Sequence, residues 1–152
     1  MKIVVFICCI FAFGFAFSQK IDVKKDIVTV DGTPVFKMKY DFGQNTIYLH
    51  NLQDERLAIF KCESYNDSKQ VSNGNPQGRV AYYDATFLND DIDKCDFNVG
   101  GAKKAIAKYL IEYKIMDGDK LNDVAVKKFV KIHGTKYSDQ RNSSTTIIIQ
   151  QR

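Results

Sequence analysis

Ala102–Met116 reads AKKAIAKYLIEYKIM. Its apolar residues, Ala102, Ala105, Ile106, Tyr109, Leu110 and Tyr113, follow a spacing of i, i+3, i+4, i+7, i+8 and i+11. That is one stripe of a helix with 3.6 residues per turn, and Lys103, Lys104, Lys108, Glu112 and Lys114 fill the other side. A helix with a single apolar stripe must bury it against a partner, and the strand-like region before it is the available one. The stripe therefore predicts a helix laid on a sheet, running to about Met116 and stopping at Asp117-Gly118.

Upstream, the pattern changes from helical to alternating. Ile21–Lys24 and Ile27–Val30 are rich in β-branched residues, as strands are. Asp31-Gly32 interrupts them with a strong hairpin signal. In Pro34–Tyr40, Phe36, Met38 and Tyr40 share one face while Lys37 and Lys39 share the other, the signature of a half-buried strand. Thr46–His50, Leu57–Tyr65 and Arg79–Leu88 follow, separated by turn chemistry. Ala58, Phe60 and Cys62 share a face, and Tyr82 and Tyr83 point to opposite ones. Such spacing argues for an antiparallel meander. Asn66–Gly78, NDSKQVSNGNPQG, is a long polar connection whose composition fits a binding loop or an idle connector.

Downstream lies a second helix. Asn122 is an N-cap, Leu121 and Val126 are placed as a hydrophobic staple, and Ala125, Val126, Phe129, Val130 and Ile132 form its apolar side. His133 sits in its last turn, and Gly134 suits the left-handed position that ends helices. Residues 135–145 are polar and read as flexible. Thr146–Gln150, with three consecutive isoleucines, reads as a last strand. The expected fold is a single α+β domain over 19–152. It consists of an antiparallel β-sheet, a meander of about five to seven strands, with two C-terminal helices packed on one face.

Met1–Ser18, MKIVVFICCIFAFGFAFS, has a lysine, an unbroken apolar run and small residues at Ala16 and Ser18, the layout of a signal peptide cut before Gln19. A membrane span needs about 20 apolar residues, more than this run supplies. The expectation is an exported protein, periplasmic, cell-surface or secreted, and not an integral membrane protein after cleavage. Export removes Cys8 and Cys9, leaving Cys62 and Cys95 as a disulfide candidate in an oxidising compartment. The alternative is two separate buried thiols.

Apolar residues make up 45% of the chain and charged ones 26%, ordinary values for a globular protein. The net charge of +4 is split unevenly. Gln19–Gly101 carries ten Lys/Arg against thirteen Asp/Glu, whereas Ala102–Arg152 carries eleven against five. Lys103, Lys104, Lys108, Lys127, Lys128 and Lys131 thus form a candidate face for an anionic surface, a glycan or a protein partner. The plainer account is a solvated helix side. Nucleic acid is not expected, for there is no binding motif and no aromatic–basic interleaving.

Chemistry is sparse. His50 and His133 with two distant cysteines make no zinc signature. Asn89, Asp91 and Asp93 match the first liganding positions of an EF-hand, but Lys94 and Gly100 occupy the places of its glycine and its bidentate glutamate. Asp90, Asp91, Asp93 and Asp96 remain a weak calcium candidate outside that pattern. Gly100-Gly101 before Lys103 and Lys104 resembles an anion nest without the spacing of a phosphate loop. No nucleophile signature occurs, His50 with Asp54 being a local coincidence, and no cofactor is implied.

Taken together, the short leader ending before Gln19-Lys20, the KKDIVTVDGTPVFKM hairpin and the LNDVAVKKFVKIHG helix resemble uncharacterised small exported proteins of the Bacteroidota. The resemblance implies export in a Gram-negative cell and transfers no functional residue. The leading expectation is a non-enzymatic exported protein that binds a partner or acts structurally. The alternatives are a small hydrolase or calcium-dependent module using the Asp90–Asp96 cluster, and an inhibitor or immunity-type protein.

Overall fold

The computed structural model describes residues 19–100 and 103–145. The leader, the Gly101 half of the glycine pair and the expected last strand at Thr146–Gln150 lie outside the described residues. Seven strands form one antiparallel sheet in sequence order: β1 (Ile21–Lys24), β2 (Ile27–Val30), β3 (Thr33–Asp41), β4 (Thr46–His50), β5 (Arg56–Asn66), β6 (Arg79–Phe87) and β7 (Lys94–Phe97). Helix α1 (Lys103–Glu112), a hairpin of β8 (Met116–Asp117) and β9 (Lys120–Leu121), α2 (Asp123–His133) and α3 (Lys136–Thr145) complete the chain. The meander and the α+β class are as the alternation required. At the β2–β3 hairpin, Asp31 and Gly32 both take positive φ, 51° and 84°, the pair that a tight two-residue turn demands.

The ladder sorts side chains onto two faces. Phe36, Met38, Ile47, Leu49, Ala58, Phe60, Ala85, Phe87, Cys95 and Phe97 all lie on one of them and are buried. Against it α1 lays Ile106, Ala107 and Leu110, and α2 lays Val126 and Phe129. The Phe129 ring meets Phe97 at 5.4 Å and Phe87 at 5.8 Å. Each fully buried side chain of this size contributes about 1.5–3 kcal/mol. The Asn122 side chain caps α2 by accepting from the Ala125 amide, and Gly134 ends it. Ile132, expected on the apolar side, instead points outward.

Helix α1 is shorter than its apolar pattern. It ends at Glu112 because Lys114 turns into the left-handed region, φ 55°. The Ile115 amide then donates to the Leu110 carbonyl and the Lys114 amide to that of Ile111, a Schellman closure normally built on glycine. Ile115 is fully buried beneath it.

Residues 135–145, read as flexible, contain helix α3, which continues α2 after a turn at Gly134-Thr135. It lies on the face of the sheet opposite α1 and α2, and Asp96 is the reason. This β7 residue is 1% exposed and points away from the main core. Its carboxylate accepts from the Tyr137 amide at 3.1 Å and the Ser138 amide at 2.7 Å, and its own amide donates to the Gly134 carbonyl. A stretch with almost no apolar periodicity becomes helical because its N-terminal amides are satisfied by a strand it folds around. Tyr137 then stacks on Tyr82, ring centroids 5.5 Å apart and 17° from parallel, and Arg141 pairs with Glu63 at 3.0 Å. Tyr82 is thereby buried, and Tyr83, on the core face against Phe97, is half-buried.

The thiols of Cys62 and Cys95 are free, which corrects the disulfide expectation for the fold as described. Both point to the core face, but β6 runs between their strands. Two strand spacings put their backbones about 10 Å apart, beyond the roughly 7 Å that a disulfide spans. Burial pushes the Cys95 thiol up to about 12, so it stays protonated.

Asp96→Ala should lower unfolding free energy by about 2 kcal/mol, since it leaves two amides at the start of α3 without acceptors. Asp96→Asn, which keeps one acceptor oxygen, should cost less. Denaturant unfolding of the three proteins checks this order.

Candidate functional site

Where α1 hands over to the β8–β9 hairpin, the chain leaves a cleft of about 620 Å³. Phe36 and Leu110, both buried, form its floor. Val30, Pro34 and Val35 from the β2–β3 hairpin make one wall, and Met116, Asp117, Gly118 and Asp119 make the opposite one. Leu52 and Gln53 close one end, with Lys114 and Asn122 also on the lining. The Leu52–Gln53 end is tied to the Met116–Asp119 wall by Asn51, 2% exposed. Its carboxamide donates to the Asp119 carbonyl at 3.1 Å and to Glu55 Oε2 at 3.0 Å, while its oxygen accepts from the Gln53 and Glu55 amides. A buried carboxamide bonded to the backbone of both turns holds them at fixed separation. Gly118, φ 62°, lets the β8–β9 chain reverse in two residues. The result is an apolar trough with a rim bearing one ammonium, Lys114, and two carboxylates, Asp117 and Asp119.

The residues singled out from sequence are mostly committed elsewhere. Asp91 pairs with Lys127 at 2.7 Å, Asp93 is held by Asn89 at 2.8 Å, and Asp96 caps α3 on the back face. Among the described residues no three Asp, Glu, His or Cys side chains, Asp90 included, converge on a metal position. Three of the four carboxylates in the acidic segment, those of Asp91, Asp93 and Asp96, are thus engaged by other groups of the chain. On the lysine face, Lys103 reaches Asp26 at 2.6 Å and Lys104 lies 3.9 Å from Asp22. These are also the lysines expected to converge on the glycine pair, and they turn to β1 and the β1–β2 turn. Lys108, Lys128 and Lys131 are exposed without an ion pair among the described residues.

Both histidines sit in structural positions. His133 packs among Phe97, Tyr109, Tyr113 and Phe129, and its Nε2 is 3.0 Å from the Tyr109 hydroxyl. Burial raises the Tyr109 phenol to about 12, so it stays protonated beside the ring. His50 Nδ1 faces the Tyr48 carbonyl at 3.3 Å. Its sequence neighbour Asp54 bonds instead to Lys37 and Lys39, each at 2.8 Å, and these ammonium groups pull the carboxyl down to about 2.

Compared with family models, curated proteins and solved structures, the chain matches none. Among the described residues no helix is long and apolar enough to cross a membrane.

Sequence reasoning passed over the cleft because its makers look ordinary in sequence. Asn51 reads as one more turn residue, and Lys114 as part of a lysine-rich helix. The one usable signal was Asp117-Gly118, taken as the end of a helix when it is the tip of a hairpin.

Burial holds His133 and His50 below their ordinary 6.5. Below pH 6.5 the unfolded chain therefore binds more protons than the folded one. The stability linked to these rings is complete above that pH and declines as pH falls through it. An NMR titration of the imidazole protons should show both midpoints below 6.5.

Proposed function

We propose that the chain is an exported, non-enzymatic binding protein whose cleft takes a small amphipathic molecule. Export is supported by the leader-like Met1–Ser18. Binding is supported by the cleft, and one observation carries it. A largely apolar concavity of about 620 Å³ is held open by the buried Asn51 and bordered by a few charged groups, the usual anatomy of a ligand site. The apolar part of the ligand lies along Val30, Val35, Phe36, Leu52 and Met116. Its polar head meets the rim, where Asp117 and Asp119 outnumber Lys114, so a basic head is favoured over an acidic one. The lysine face is the weaker surface, because Lys103, Lys104 and Lys127 are each opposite a carboxylate of this same chain.

A dansyl-labelled alkylamine should bind saturably and more tightly than the alkanoate of equal length. Val35→Glu and Met116→Glu, each placing a carboxylate among the apolar walls, should weaken it by about tenfold or more. Fluorescence titration measures this, with thermal melts confirming that each variant is folded. Unsaturable binding, or folded variants that bind as the parent does, would contradict the reading.

A further inference from the structure

The polar connection between β5 and β6 is a closed and ordered loop. The Asp67 side chain accepts from the Lys69 amide at 2.9 Å, opening a short 3-10 turn at Ser68–Gln70. The Asp67 amide donates to the Gly78 carbonyl across the neck of the loop. That neck admits only glycine at position 78. Its φ is +61°, and a Cβ there would stand 2.1 Å from the Asp67 carbonyl oxygen. Asn75 holds the interior together. Its carboxamide donates to the carbonyls of Gln70 and Arg79 and accepts from the Arg79 amide, and its own carbonyl accepts from the Gly78 amide. Ser72 and Asn75 exchange backbone bonds of 3.1 and 3.0 Å, which makes Asn73 and Gly74 the two-residue tip.

The tip differs from the rest of the loop. Both of its residues are exposed, and among the described residues neither the Asn73 carboxamide nor the Gly74 amide has a hydrogen-bond partner. A Cβ built on Gly74 would meet nothing within 4 Å, so the tip stands clear of its surroundings. An asparagine followed by glycine is open to attack by its own backbone, because no Cβ crowds the glycine nitrogen. Asn73 is the one asparagine of the sequence in that position. Asn75 precedes Pro76, whose nitrogen has no proton to lose. Asn51 is buried, and Asn89 and Asn122 spend their carboxamides on Asp93 and on the Ala125 amide.

We propose that Asn73 is a self-modification site, converted by water alone to aspartate or isoaspartate, and that the conversion loosens this loop. The Gly74 amide gives its proton to hydroxide, and its nitrogen forms a bond to Asn73 Cγ. The Cγ–Nδ2 bond breaks, and ammonia leaves with a proton drawn from water. One water then opens the five-membered imide at either carbonyl. Opening at Cγ leaves aspartate. Opening at the α-carbonyl leaves isoaspartate, with the chain now running through Cβ and Cγ. That product adds a backbone carbon between Ser72 and Asn75, whose paired bonds suit a two-residue tip. Asn75 is thereby displaced, and its bonds to Gln70, Gly78 and Arg79 weaken with it. The loop shares no residue with the cleft lining, so the conversion stands independently of the amphipathic-ligand reading.

The test holds the whole protein at mildly alkaline pH for days and follows the peptide containing Asn73 by digestion and mass spectrometry. That peptide should gain the mass difference between water and ammonia, and split into two chromatographic forms, before any other asparagine changes. Gly74→Ala should slow the gain severalfold without disturbing the loop, since Gly74 is not left-handed and a Cβ there has space. In the isoaspartate form, separated by ion exchange, the Gly78 and Arg79 amides should exchange hydrogen faster than in the parent. The proposal is overturned if Asn73 persists while the urea-unfolded chain converts, or if another asparagine converts first. Gly74→Ala keeping pace with the parent, or unchanged exchange at Gly78 and Arg79, overturns it equally.

Discussion

A single buried carboxylate decides how this chain closes. The meander sends one face of its sheet to α1 and α2 and leaves the other face needing cover wherever it carries a large ring. Tyr82 is such a ring. Asp96, on the last strand, turns away from the main core and receives the first amides of α3. The chain therefore leaves α2 at Gly134, rounds the edge of β7 and lies down on the back of the sheet. The backbone bond from Asp96 to Gly134 fixes where it turns, and the Tyr82–Tyr137 stack fixes how it lands. The wrap also blunts one open sheet edge, a place where strands otherwise invite pairing with another chain.

The cleft follows from where α1 ends. The cleft exists because α1 stops three residues before Ile115 is buried, and the Schellman closure turns the chain into the β8–β9 hairpin opposite Val35.

Much of the architecture was legible in sequence, for reasons that can be named. Alternation in Pro34–Tyr40 and Leu57–Tyr65 placed their side chains on the correct faces, because a strand has no other way to bury every second residue. Asn122 and Gly134 marked the bounds of α2, because caps are local chemistry. What failed was long-range or depended on an unfavoured local conformation. Lys114 ends α1 in a left-handed conformation that lysine seldom adopts. Helix α3 has no periodicity of its own and depends on Asp96, forty-odd positions before it in the chain. In the acidic run, proximity in sequence conceals that β7 turns Asp96 to the back face, where it takes the first amides of α3. The cleft suffered most, since it is assembled from turns that only tertiary bonds bring together.

Ring-to-ring NOEs between Tyr82 and Tyr137 test the wrap around β7 most directly. The account predicts strong cross-peaks between these two rings, with Tyr137 protons shifted by the stacked partner. Tyr137 protons at random-coil positions, without contacts to Tyr82, would contradict it.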